Sequence, residues 1–259
     1  MKKRRKEMGI KGAILGDIIG SPWEMNKCPN YRTVNLFGKR GFTDDTVLSI
    51  ATKWAILKGK PYYTAYKLFY LVYPDRGFGR GFKHWATNQS TDFIGDSIGN
   101  GSAMRVSFIG EHFDTLEDVI KEARLSAATS HNTEDGILAA ECSAVCVYLA
   151  KCGHSKQEIF EYIENAYSDY AGKDLEWYRK HYSWSVLARD TVHLAVICAL
   201  SANSFEGALR NVLSVHCDAD TVGAIAGSIA EELYGIPDDF VGRLKEYLPY
   251  TLYNIVVEK

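Results

Sequence analysis

No run of apolar residues in this 259-residue chain approaches the roughly 18–20 needed to cross a bilayer. The basic start followed by GIKGAILGDIIGSPW has the outline of a signal peptide, but Lys11 and Asp17 interrupt its apolar part, so a cytoplasmic protein is expected. Neither a CxxC pair nor a paired Cys/His spacing occurs, which excludes a zinc site, and six cysteines in a chain this size make no disulfide framework. Cys142 and Cys146, one helical turn apart in an apolar stretch, read as buried free thiols. No alternating pattern of convincing length marks a strand, and no low-complexity or linker-like segment divides the chain. An excess of positive charge is missing too. Residues 1–7 hold five basic groups and one acid, which leaves the remaining 252 residues at −6 within a total of −2. The mildly acidic body argues against nucleic acid as a partner, and residues 1–8 are expected to be a solvated, disordered basic tail.

What is present is ordinary globular composition, 46% hydrophobic and 24% charged, with a mean hydropathy of −0.18. A chain of this length buries about 70–75% of its unfolded surface, enough for a large core. Apolar residues recur at three- and four-residue spacings over 116–129, 134–151, 155–168, 185–201, 204–215 and 221–235. Ser155 with Glu158 forms a capping box, Ser204 opens another helix, and Gly235 followed by Pro237 ends the last. The expected architecture is therefore all-α, one domain over residues 9–259. Segments 24–42, 74–82 and 94–105 resist helix assignment and are the expected binding loops.

Two of the helix starts are acidic. FTDDT places Asp44 and Asp45 between Thr43 and Thr46, and DADT repeats the arrangement with Asp218, Asp220 and Thr221. Each reads locally as a cap with acids in the first helical turn. If the two ends converge, four carboxylates meet. Two such charges 4 Å apart repel by about 4 kcal/mol at an effective dielectric of 20, and a helix dipole offsets only about 1 kcal/mol. Cations must then bind, or some acids must hold protons. An all-oxygen donor set, with Thr43 and Thr221 adding neutral oxygens, suits Mg²⁺ or Mn²⁺ far better than zinc.

Two other readings of DADTV are weighed. As an EF-hand loop it would place Ile229 where a bidentate Glu is required, so that reading fails. As the DxDxT/V nucleophile of a haloacid-dehalogenase-type phosphatase it should open a Rossmann-like domain, yet only 39 residues follow Asp220 and they read as helix. The phosphatase stays a minor alternative. Further upstream, Gly99 and Gly101 around Asn100 allow main-chain amides to approach a phosphate or ribose oxygen, and Arg105 can pair with a diphosphate. RGFGRGF (76–82) offers similar chemistry without a dinucleotide fingerprint.

In this order the segments resemble the ADP-ribosylglycohydrolase family, which includes dinitrogenase reductase-activating glycohydrolase and the animal ADP-ribosylarginine and ADP-ribosylserine hydrolases. The resemblance runs over roughly residues 9–237: GAILGDIIGSPWE (12–24) looks like the opening helix, FTDDT and DADT like the two metal segments, and GNGSAMR (99–105) like the ADP-ribose loop. SHNTEDG (130–136) sits where the family places a substrate-contacting histidine, here His131. The resemblance implies a compact orthogonal helical bundle, two Mg²⁺ ions, and cleavage of an N- or O-glycosidic bond of ADP-ribose on a protein side chain or small molecule. It places Thr43, Asp44, Asp45, Asp218, Asp220 and Thr221 on the metals, with Asp44 or Asp45 as base. Gly99, Asn100, Gly101, Ser102, Ala103, Met104, Arg105 and His131 would hold the ADP-ribose. Three departures are visible. His216-Cys217 replaces the usual Gly-Gly, HNTEDG replaces a His-Pro-Glu pattern, and residues 25–42 contain no acid, leaving Glu24 as the nearby candidate and putting arginine linkage ahead of serine. A catalytically silent ADP-ribose-binding, structural or immunity relative is the second functional class. A monomer is expected.

For the remaining features the packing account comes first. Gly12, Gly16 and Gly20 read as a close helix contact, with Asp17 among them as a supporting carboxylate behind the metal ligands. Tyr62, Tyr63, Tyr66, Phe69 and Tyr70 form an aromatic helical face, and Trp177, Tyr178, Tyr182 and Trp184, in a loop-like stretch, are the candidates for stacking on adenine.

Overall fold

Nine of the fourteen helix starts among the described residues have a local cause. Thr43, Thr115, Thr133, Ser155, Asp174 and Ser204 each accept a main-chain N–H of the first turn, Ser155 within the expected capping box, while Pro61, Pro237 and Pro249 pre-set the backbone ahead of three others. The computed structural model describes residues 10–38, 41–90 and 93–258; the expected basic tail, 1–8, lies outside them. Among the described residues the helices are α1 (Lys11–Gly20), α2 (Asp44–Lys58), α3 (Tyr62–Val72), α4 (Arg80–Thr87), α5 (Ser107–His112), α6 (Leu116–Ala128) and α7 (Glu134–Lys151). They continue with α8 (Lys156–Ala166), α9 (Leu175–His181), α10 (Ala188–Leu200), α11 (Phe205–Leu213), α12 (Ala219–Tyr234), α13 (Asp238–Tyr247) and α14 (Tyr250–Val257). No strand forms among them; two isolated bridges, Asp96 with His131 and Gly99 with Leu187, are the only sheet-like pairings. The all-α expectation holds.

The innermost helices are those without a polar face. Residues 219–231 of α12 are buried without interruption, as are 191–200 of α10 and 12–20 of α1. Around α12 pack α1, α7, α10 and α11, and a second apolar cluster joins α5, α6 and α7 through Val106, Ile109, Val119 and Val145. Three stretches differ from the expectation, the first being α4, which begins at Arg80 inside the 74–82 segment read as non-helical. Helix α10 starts at Ala188 rather than 185, because the Ser185 hydroxyl accepts from Leu187 N and donates to Asp190, which holds a turn there. Helix α9 takes in Trp177 and Tyr178, which corrects the loop-like reading of that stretch.

The tightest contact is between α1 and α12, which run antiparallel with Gly12, Gly16 and Gly20 facing Gly227, Gly223 and Ala219. A Cβ on Gly16 would lie 1.9 Å from the Gly223 carbonyl oxygen, so backbone meets backbone and no side chain can yield. We therefore expect Gly16→Ala to cost about 3 kcal/mol or more in urea unfolding. Gly242→Ala, in α13 with nothing within 4 Å of the added carbon, should instead stabilise by about 0.5–1 kcal/mol.

Candidate active site

The glycine contact sets the C-terminal end of α1 beside the N-terminal end of α12, and Asp17 on α1 then holds the first turn of α2. Fully buried, Asp17 accepts from Thr43 N (2.9 Å), Thr43 Oγ1 (2.9 Å) and Thr46 N (3.1 Å), and from the Thr46 hydroxyl. Three segments far apart in the chain thus bring six carboxylates together: Asp17 and Glu24, Asp44 and Asp45, Asp218 and Asp220. Glu24, Asp218 and Asp220 each offer an oxygen within 4.8 Å of the others. The same Thr43 hydroxyl, shared with Asp17, lies 3.1 Å from Asp45 Oδ2, while the buried Asp45 Oδ1 has no partner. Asp218 accepts from Asn100 Nδ2 at 2.7 Å, and Asp220 from the Thr221 amide at 3.0 Å. Asp44 is less buried and sits under the 74–79 loop, its amide donating to Arg76 O at 2.6 Å; a Cβ on Gly77 would lie 3.1 Å from its Oδ1. The sequence signal for that last contact was RGFGRGF, which carried no assignment to the acids.

Burial and mutual repulsion govern these groups. Asp44, Asp45 and Asp220 are held well above the usual carboxylate range, by burial first and then by neighbouring acids, and Asp218 is raised by burial against the opposing Asn100 hydrogen bond. Asp17 is pushed up to about 6 by burial, opposed by its four bonds from Thr43 and Thr46. Among the described residues no Lys or Arg forms an ion pair with Asp17, Asp44, Asp45, Asp218 or Asp220. An oxygen-only donor set, an orphaned buried carboxylate oxygen and uncompensated negative charge together fit a hard divalent cation.

The Gly99–Arg105 segment divides in two. Asn100 joins the acids, and Gly101 faces His131, whose Nε2 lies 3.1 Å from a Cβ built there. Ser102, Ala103 and Met104 turn inward: Ser102 Oγ donates to Gly136 O at 2.7 Å, and Met104 Sδ lies 3.9 Å from Thr221 Oγ1. Arg105 departs most from expectation. Wholly buried, it donates to Ser126 O (2.7 Å) and Ser130 Oγ (3.0 Å) and lies 4.1 Å over the Tyr66 ring, so its guanidinium faces the protein rather than a diphosphate. It acts instead on His131. Ser130 Oγ accepts from Arg105 and lies 2.8 Å from His131 Nδ1, and because His131 Nδ1 is its sole acceptor contact among the described residues, the hydroxyl proton is assigned to that bond and the imidazole proton to Nε2, facing Gly101. Burial and the Arg105 charge hold His131 well below its ordinary pKa, hence neutral.

The aromatic and departing residues also find places. Tyr66 and Phe69 are core, while Tyr63 is exposed. Tyr178 is buried against His193 Nδ1 at 2.7 Å, which removes it from any ligand face, and Trp184 Nε1 donates to Glu24 O at 2.8 Å. His216 is exposed rather than packed, and Cys217 is buried behind Asp218.

A fold of this kind, with paired acids at two facing helix starts, defines a class, and the comparisons with known proteins agree with it. The family model described as ADP-ribosylglycohydrolase matches residues 3–257, and the chain belongs to that family. The ADP-ribosylhydrolase ARH3 of Homo sapiens is 27% identical across 88% of this chain and 84% of its own length, and that of Mus musculus 26% across 88% and 83%. An uncharacterized protein of Archaeoglobus fulgidus is 25% identical across 92% of this chain and 90% of its own length. A solved structure titled "ADP-ribosylglycohydrolase-related protein complex" shares the fold at TM-score 0.75 and 19% identity, covering 97% of this chain and 95% of that one. No helix among the described residues is long and apolar enough to cross a membrane.

A carboxyl whose pKa is raised on folding contributes fully below its unfolded value and loses that contribution as pH rises through the folded one. For Asp17 the window runs from 3.8 to about 6. His131 and His193, both depressed, act in the opposite sense, contributing above 6.5 and losing it as pH falls. In divalent-free buffer, the stability of the wild type relative to Asp17→Asn should therefore fall by on the order of 2–3 kcal/mol between about pH 4 and 7. Urea titrations at each pH measure it, and a pH-independent difference would contradict the burial of an acid at this position.

Proposed function

We propose that the protein is a Mg²⁺-dependent hydrolase that cleaves the glycosidic bond between ADP-ribose and a modified protein side chain or small molecule. The observation that carries the reading is the convergence of Asp44 and Asp45 on α2 with Asp218 and Asp220 on α12, all raised in pKa and without a basic partner among the described residues. Thr43, Asp44, Asp45, Asp218, Asp220 and Thr221 would hold two Mg²⁺ ions, or Mn²⁺ in their place, with Glu24 beside them. Bound there, the metal would orient ribose hydroxyls and make water more acidic.

The chain's own groups account for the rest. Cleavage at the anomeric carbon passes through an oxocarbenium-like state, and a cluster of carboxylates stabilises positive charge developing beside it. Asp44, half-buried at the edge of the cluster under the 74–79 loop, is placed to take a proton from the attacking water. Asp45 is fixed by Thr43 and Asp218 by Asn100, so neither needs to reorganise during the reaction. His131, neutral with Nε2–H facing Gly101, donates to a substrate oxygen at the edge of the site. Arginine linkage leads on the acid-free 25–42 segment; the place of Glu24 beside Asp218 and Asp220 makes serine linkage the necessary comparison.

Calorimetric titration of ADP-ribose with and without Mg²⁺, with release from arginine- and serine-linked substrates followed in parallel, tests the reading. Magnesium-dependent binding with release is expected. Asp44→Asn should lower release by about 100-fold or more and weaken Mg²⁺ binding. An active variant with unaltered metal affinity overturns the assignment, and binding without release in the wild type would favour the silent relative.

A further inference from the structure

Segment 182–187, between α9 and α10, is held at several points and reaches across to the acidic cluster at one. Asn100 N donates to Val186 O at 2.9 Å and Ala188 N to Ile98 O at 3.0 Å, which fixes the segment along the Asn100 loop. Ser185 Oγ donates to Asp190 Oδ2 at 2.6 Å and Tyr182 OH donates to Asp190 O at 3.3 Å, which fixes it to α10, and Tyr170 OH holds the other Asp190 oxygen. From this platform the Trp184 indole Nε1–H donates to the main-chain carbonyl of Glu24 at 2.8 Å. The side chain of that same Glu24 offers an oxygen within 4.8 Å of Asp218 and Asp220. Asn100, at the other end of the platform, bonds to Asp218.

The clasp acts at the end of a turn. The short 3₁₀ turn over Ser21–Trp23 ends immediately before Glu24, and Met25 to Cys28 are exposed and outside any helix. Glu24 also adds to the repulsion that raises Asp44 and Asp220. At the end of such a turn, fixing the backbone fixes the point from which the carboxylate reaches toward Asp218 and Asp220. A neutral indole N–H on the carbonyl supplies the tie without adding a competing charge to the cluster.

We infer that Trp184 is a positioning residue: it clasps the Glu24 backbone to the Asn100 platform and so sets the Glu24 carboxylate against Asp218 and Asp220. The inference rests on the reading of the cluster as a divalent-cation site. This role uses the indole N–H, whereas the expected adenine stacking would use the ring face.

Trp184→Phe keeps an aromatic ring and removes the donor. Mg²⁺ alone is titrated calorimetrically into the wild type, Trp184→Phe, Glu24→Gln and the double variant, and amide exchange of residues 24–28 is followed by mass spectrometry, with circular dichroism as the check on folding. Trp184→Phe should bind Mg²⁺ about tenfold more weakly, with faster exchange confined to 24–28. The double variant should bind no more weakly than Glu24→Gln alone, because Trp184 acts through Glu24; a purely structural contribution would add instead. Wild-type affinity in Trp184→Phe, or additive losses in the double variant, overturns the clasp. If the wild type binds no Mg²⁺, the cation reading fails separately, and exchange decides: acceleration in Trp184→Phe upholds the clasp, and unchanged exchange overturns it.

Discussion

The contact between α1 and α12 is the constraint from which the site follows. Ordinary side chains keep helix axes about 8–10 Å apart, whereas glycine against glycine lets two backbones touch. Here Gly12, Gly16 and Gly20 oppose Gly227, Gly223 and Ala219, in antiparallel register. That register puts Gly20 beside Ala219, so the chain leaves α1 next to the point where α12 begins with its two acids. Glu24 follows four residues after Gly20 and lands among them. Asp17, one turn earlier, is carried into the interior, where it can bond the capping residue of α2. A wider contact would separate the three segments.

The charge so assembled is a cost to the fold that the fold only partly offsets. Helix starts at α2 and α12 present their positive ends, and Thr43, Thr46, Asn100 and the Thr221 amide supply donors. These donors are neutral. They orient carboxylates without cancelling their charge, which is why burial and repulsion still raise the acids and why Asp45 Oδ1 is left without a partner. A cluster of this kind is stable in geometry and unsatisfied in charge, the condition in which a divalent cation gains the most by binding.

Arg105 shows how a side chain can serve a site from behind. Buried against Tyr66 and bonded to Ser126 and Ser130, it engages the same Ser130 hydroxyl that lies 2.8 Å from His131 Nδ1. Its charge, together with burial, also holds His131 neutral. The same layering holds at Trp184 and Asp190, where polar bonds to backbone carry position from α10 to Glu24.

Much of this was readable in the chain itself. Helix identity was partly local: caps and three- and four-residue apolar spacing mark the six helices from α6 to α8 and α10 to α12, and the Thr-Asp-Asp-Thr and Asp-Ala-Asp-Thr segments announce two acidic helix starts, whereas α4 and α9 form where the sequence reads as loop. Local chemistry also predicts the caps themselves, because a cap needs only its own first turn. What the sequence by itself determined was thus the all-α class, the caps and the inventory of acids. Tertiary structure alone decided which of them meet. A side chain's partner across 26 or 118 residues depends on helix register, so Asp17 under Thr43 and Asn100 on Asp218 are visible only once α1, α2 and α12 are packed. The inward turn of Arg105 has the same origin: an arginine in a glycine-rich loop suggests an anion, and only the position of Tyr66 and the end of α6 directs it to the interior instead.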